Sequence, residues 1–488
     1  MMGQNIYRLI LLCMNVGVSL AFGRQGAFVM FGEAFLTYWC ALKMEEAYGE
    51  EKSDISSGMS RKEAKAKSKK KVSLYHHLTV CLIVLIWGLF AYRLFFAKTV
   101  SSVFLSLAVP AGISYWSLEE IGYLTDVMWK KEKAEHSFLK FFLFISFFPQ
   151  LLEGPIARYR ETADDIYSWN GLKDEDCVEG MVRVLRGLFR KLVIANRMAS
   201  MVQPLFDHPE NYNGLILLLA GPLYALWLYM DFSGSIEVVN GIACFLGVHL
   251  PVNFRRPFFA ENAGEFWRRW HITLGRWFRE YVFYPLSTGS LVMKWVKYAR
   301  GKVSQNLTKL VTSAIVLFPV WIATGIWHGP RWTYVFYGFY YFVILMLEQV
   351  WKLYFDSKHL PHAVSVMKCW LIIGLGELFF NASSIPTAFT MLRRGLETFS
   401  VSQFSTLGKD LCTSMVSMGD VKIIFIGILC VLLVEWYEER KQVDFNTVSV
   451  SVPVMKRWPV ELVVFAVIVL FGAYGMGYRA VDLIYANF

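Results

Sequence analysis

Residues 311–329 read VTSAIVLFPVWIATGIWHG, and from Val311 to Trp327 they carry no charged side chain. A run of this length approaches the ~20 apolar residues that cross a bilayer as a helix, the element that satisfies every backbone polar group within its own segment. His328 follows it directly, between Trp327 and Gly329. An ionisable imidazole therefore stands where solvation is poor.

The rest of the chain repeats this texture. Of its 488 residues 55% are hydrophobic, 16% aromatic and only 18% charged, against about 25% charged in soluble domains. Besides Leu310 to Trp327, apolar blocks run from Asn5 to Phe22, Ala27 to Met44, His77 to Phe96, Ser101 to Leu118, Phe138 to Leu152, Val182 to Ile194, Tyr212 to Met230, Ile236 to His249, Trp332 to Leu347, Val366 to Phe380, Val421 to Val434 and Val460 to Tyr478. The composition predicts an all-α, polytopic membrane protein with roughly ten to twelve membrane helices, the shorter blocks being re-entrant or tilted. No small-residue cleavage pattern separates the first two blocks, so the first reads as a retained span. The eight cysteines show no CxxC spacing and read as small buried hydrophobes.

Charge sets the expected orientation. The net charge of +10 is concentrated in places, as in RKEAKAKSKKK at 61–71, with seven basic side chains against one acidic. Such runs favour the cytoplasm, which puts this segment, the basic stretch at 129–135 and the N-terminus inside. Ser53 to Ser60 reads as the disordered start of that loop. Without interleaved aromatics or a binding module, the run points to topology or lipid headgroups and excludes a nucleic-acid partner.

ENAGEFWRRWHITLGRWFREYVFYPL, 261–286, has another texture. Phe266, Trp270, Leu274, Trp277 and Tyr281 recur every three or four residues among Arg268, Arg269, Arg276 and Arg279, a pattern that predicts one interfacial amphipathic helix. Asn262 is its expected N-cap, Glu265 completes a capping-box-like pair, and Pro285 is expected to end it.

Two histidines stand out as chemical candidates, His328 and, on this amphipathic stretch, His271. Buried imidazole stays neutral and serves as a base near neutral pH; the alternative is a structural histidine at a helix end. Gly325 and Gly329 let other groups approach His328 closely. Metal ligation with His249, Asp231 or Glu237 lacks any HxxxH or HxxH spacing. Asp126, Glu153, Asp231 and Glu237 lie in apolar surroundings and line a polar tunnel or pair with Arg158, Arg160, Arg255 and Arg256. There is no phosphate loop, dinucleotide fingerprint or nucleophile elbow.

The order of segments resembles a known family. GISYWSLEEIGYLTDV at 112–127, SFFPQLLEGPIARYRE at 146–161, GLFRKLVIANRM at 187–198, YMDFSG at 229–234, the stretch LPVNFRRPFF through YVFYPL at 250–286 and GIWHG at 325–329 are similar to the membrane-bound O-acyltransferases. The resemblance covers at least residues 105–350 and implies one membrane-embedded domain over 1–488, with spans at 1–104 before that core and spans at 360–488 after it. It further implies His328 as the catalytic base and His271 as a second active-site residue, with Trp267, Arg268, Arg269, Trp270, Arg276, Trp327, Asp231 and Asn253 as substrate- or donor-binding residues. The expected co-substrate is an acyl thioester, acetyl-CoA above all, and no metal or bound cofactor is implied.

Towards its C-terminus the chain looks like the alginate-acetylase branch, although Asn381 stands where that branch has arginine, and the final DLIYANF also departs. This implies acetylation of an exported polysaccharide at the bacterial cytoplasmic membrane, with an extracytoplasmic SGNH or acetylesterase-like partner protein. D-alanyl transfer from a carrier protein towards teichoic acid is the alternative within the family, and a transporter or flippase the alternative outside it. Transporters are built from paired halves, and this sequence shows no such symmetry.

Overall fold

The computed structural model describes residues 2–93, 109–169, 171–355 and 360–474. Among these residues the protein is helical, without a β-strand beyond an isolated bridge between Thr413 and Val416. Among the described residues six helices are long and apolar enough to cross a membrane: Gly3–Phe22, Arg61–Ala91, Leu215–Phe245, Gln305–Trp327, Trp332–Tyr354 and His362–Asn381. The chain is thus an all-α, polytopic membrane protein. The expected span at Ser101 to Leu118 is described only from Val109 onward, and DLIYANF lies outside the described residues.

The chain divides into two compact units. The first runs up to Asp176 and adds Ile242–Pro251. Here the basic run belongs to a helix instead of a loop. Arg24–Ser56 is one helix, Ser60 caps the next by accepting from Glu63 N, and Arg61–Ala91 follows. Lys67 bridges to Asp54 at 2.9 Å, so facing helices neutralise part of the run, and Ser53 to Ser60 is ordered as the end of one helix and the short turn into the next. Asp126 pairs with Arg160, one of the arginines expected to meet a buried carboxylate.

The second unit holds Cys177–Gly241 and the chain from Val252 onward. Two blocks expected as separate spans, Tyr212 to Met230 and Ile236 to His249, merge into the helix Leu215–Phe245. The polar DFSG stretch does not break it, because Lys191 pairs with Asp231 and Gly234 packs on the backbone of Gly187, where a Cβ would meet the carbonyl oxygen at 2.9 Å.

The amphipathic segment departs from the continuous helix expected. It comprises Ala263–Arg269, a break at Trp270 and His271, Ile272–Phe278, a π-helical turn Arg279–Phe283, and Tyr284–Ser287. Asn262 does cap the first piece, its Oδ1 accepting from Glu265 N at 2.8 Å, while Glu265 reaches back to the N–H of Glu261 instead of Asn262. Pro285 sits in the first turn of the last piece, where its missing N–H is not needed, and therefore does not end the segment. Phe266, Trp270, Leu274 and Trp277 are buried as the periodicity predicts.

Candidate active site

His328 closes the helix Gln305–Trp327. Its backbone N–H returns to Thr324 O and Gly325 O at 3.3 and 3.2 Å, and Gly329, at φ +121°, turns the chain into Trp332–Tyr354. The two helices meet through glycines: a Cβ on Gly325 would lie 2.4 Å from Tyr334 O, and one on Gly338 would lie 2.2 Å from Trp321 O. That approach fixes the turn carrying the imidazole. The His328 ring, 5% exposed, is surrounded by Trp327 at 5.0 Å, Phe380 at 5.1 Å, and Tyr334 and Tyr337 at 6.2 Å between ring centres.

His271 is placed by the break in the amphipathic segment. It adopts a left-handed backbone conformation at φ +43°, unusual for a residue with a Cβ and of the kind stored at functional sites. The adjoining segment holds the kink from behind. Ile272 N donates to Asn253 O at 2.9 Å and Arg255 N to Arg269 O at 2.8 Å. Asn253 Oδ1 accepts from Thr273 N at 3.1 Å and Thr273 Oγ1 at 2.9 Å, and lies 3.2 Å from His271 Nδ1. An amide oxygen accepts, so the imidazole proton is assigned to Nδ1 and the lone pair to Nε2.

The two histidines are neighbours. The indole of Trp327 lies 6.0 Å from the ring of His271 and Phe232 lies at 4.9 Å. Burial, and then the charge of His328, hold the His271 pKa well below its ordinary 6.5. His271 is thus a neutral imidazole close to a second one.

The other predicted site residues divide. Asn253 and Trp327 touch the histidines as described. Trp267 packs on Trp321, Tyr337 and Tyr341, at 5.0, 6.1 and 4.8 Å. Trp270 is packed between Phe254 and Phe266. Arg269 is held by Glu265 and Glu439 at 2.6 and 3.0 Å and Arg276 by Glu280 at 3.1 Å, which ties both into the fold, whereas Arg268 is exposed. Asp231 is paired with Lys191, and its neighbour Phe232 supplies the contact to His271. The residues weighed as metal ligands have protein partners too: His249 meets Asp176 at 3.2 Å and Glu237 meets Arg183 at 2.9 Å.

Several residues escaped the sequence reading. Arg190 reaches Glu435 at 2.8 Å and Ser233 Oγ at 2.9 Å, and Tyr229 Oη donates to the same Glu435 at 2.6 Å. This buried network braces the DFSG stretch beneath His271. Glu377 accepts from Tyr337 Oη at 2.8 Å, and Phe380 packs on His328. Glu377 had a legible signal, a lone acid inside an apolar block; Arg190 and Lys191 were visible as charges within the block Val182 to Ile194, but their partners, distant in sequence, were not.

Comparison with known proteins identifies the family of the chain. The model of the membrane-bound O-acyltransferase family matches residues 52–384. The peptidoglycan O-acetyltransferase of Helicobacter pylori is 29% identical over 63% of this chain and 61% of its own length. The probable alginate O-acetylase AlgI of Pseudomonas aeruginosa is 26% identical over 69% of this chain and 60% of its own. The teichoic acid D-alanyltransferase of Bacillus subtilis is 28% identical over 48% of this chain and 57% of its own. The chain spans about three fifths of the length of the curated relatives it matches.

Proposed function

Because the chain belongs to the membrane-bound O-acyltransferase family, we propose that it transfers an acyl group, acetyl in the first instance, from a thioester to a hydroxyl of a cell-surface or exported polysaccharide. The observation that carries this reading is the buried pair of histidines around the Trp327 indole, one of them oriented by Asn253. His328 takes the proton of the attacking hydroxyl as oxygen bonds to the thioester carbonyl carbon. The carbon–sulfur bond then breaks, and the proton passes to the leaving sulfur. His271, its Nδ1 hydrogen committed to Asn253, presents an acceptor nitrogen that orients the hydroxyl.

Burial of both rings favours the neutral state a general base requires. Acetyl-CoA is the proposed donor; relatives named as O-acetylating enzymes support the acetyl group. The D-alanyltransferase relative makes a carrier-bound aminoacyl group the outcome to test against. We place the protein in the bacterial cytoplasmic membrane with its N-terminus inside, working with an extracytoplasmic esterase-like partner on the polymer.

The test uses membranes supplied with labelled acetyl-CoA and, separately, with aminoacyl-loaded carrier, followed into surface polymer. His328→Ala is expected to lower turnover by about 10²–10⁴-fold with donor affinity unchanged, as for loss of a group acting in the transition state. Full activity in that variant removes His328 as the base. Label arriving only from the carrier changes the acyl group and keeps the mechanism.

A further inference from the structure

Glu377 lies within a membrane-spanning helix, where an ionisable side chain needs a partner or a purpose. It is 1% exposed. Tyr337 satisfies Oε1, whereas Oε2 is buried with no hydrogen bond. A second orphan stands on the same tyrosines. Trp267 packs edge-on to Tyr341 and Tyr337, and its buried Nε1 hydrogen has no acceptor. Tyr337 and Tyr341 themselves pack at 4.8 Å, and Gly376 lies so close that a Cβ there would be 2.4 Å from the Tyr341 oxygen. His328 lies beside this group, 6.2 Å from Tyr337 and 5.1 Å from Phe380, which is one helical turn beyond Glu377.

Around two tyrosines next to the proposed base, three buried polar atoms thus lack a partner: the Trp267 N–H, Glu377 Oε2 and the Tyr341 hydroxyl, which can donate or accept. Unmatched buried polar atoms are costly, and native folds retain them where a ligand or water completes them. A single hydroxyl accepts from an indole N–H and donates to a carboxylate with one oxygen.

We propose that Trp267 Nε1 and Glu377 Oε2 form a hydroxyl-binding subsite beside His328 that holds the polyhydroxylated acceptor. Aromatic rings from Trp267, Trp321 and Tyr341 flank it, apolar faces suited to the C–H surfaces of a sugar. The inference rests on the acyl-transfer reading and assigns these atoms to the acceptor instead of the donor.

The experiment uses the full-length protein in native membranes with whichever labelled thioester the wild type consumes, reading label in surface carbohydrate, label released as free acid, and donor KM. Trp267→Phe keeps the ring and removes the N–H; Glu377→Leu removes the carboxyl. Both are expected to cut transfer to carbohydrate by about tenfold or more, with donor KM unchanged. Size-exclusion in detergent checks folding, and Trp267→Phe carries the test if Glu377→Leu fails to fold. Unchanged transfer in Trp267→Phe overturns the subsite and leaves water as the occupant, and a raised donor KM overturns it by assigning the atoms to the thioester. A wild type that consumes neither thioester, or a fully active His328→Ala, refutes the broader reading instead.

Discussion

His271 and His328 meet across one indole, that of Trp327, whose ring lies 6.0 Å from the first and 5.0 Å from the second. His271 comes from a left-handed break in a segmented amphipathic stretch and His328 from the end of a membrane helix. The pairing depends on the Asn253 amide behind one ring and the glycine contact behind the other.

The Asn253 contact should be visible in pH profiles. A depressed imidazole pKa keeps His271 neutral at pH values below its ordinary 6.5, so wild-type turnover is expected to show no loss from this group as pH falls from about 8 to about 6. Asn253→Asp places a carboxylate against Nδ1, favours the charged ring, and should move the acid-side loss of turnover upward by about one unit or more. Identical profiles for the two proteins contradict the contact.

Helix contact through Gly325 gives a stability prediction. A methyl group at Gly325 meets Tyr334 O at 2.4 Å, so Gly325→Ala must push the two helices apart, at a cost of about 1–3 kcal/mol. At Gly32, within Arg24–Ser56, a Cβ would meet no neighbour within 4 Å, and Gly32→Ala should be neutral or stabilise by about 0.5–1 kcal/mol. Thermal unfolding in one detergent compares them, and equal effects would refute the close approach.

Neighbouring arginines should behave differently. Arg269→Ala removes bonds to Glu265 and Glu439 and is expected to destabilise by about 0.5–3 kcal/mol, whereas Arg268→Ala, at an exposed side chain, should stay within about 0.5 kcal/mol. Chemical or thermal denaturation of the purified variants decides, and a larger loss at Arg268 reverses the assignment.

Orientation is open to labelling. With the native cysteines replaced, single cysteines at Lys65 and Lys131 are expected to resist an impermeant maleimide on intact cells and to react after permeabilisation. Labelling from outside would invert the topology and the side from which a donor enters.

Local chemistry made much of this protein legible before any coordinates. Uncharged runs such as Val311 to Trp327 become helices because a backbone in hydrocarbon satisfies itself within one segment, and the Asn262 cap follows from a side chain three residues from its partner. His328 was visible as an ionisable group after such a run, and the ordered motifs pointed to the family. Tertiary structure alone decided the rest. The DFSG stretch continues a helix because Lys191, 40 positions away, neutralises Asp231; the amphipathic helix breaks at His271, where the 253–255 segment supplies hydrogen bonds to the kinked backbone. Tyr337 meets Glu377 across two helices. Periodicity records which side of a segment is apolar, but a buried polar atom takes its partner from whatever the fold brings within hydrogen-bond reach, and that partner leaves no local pattern in the chain.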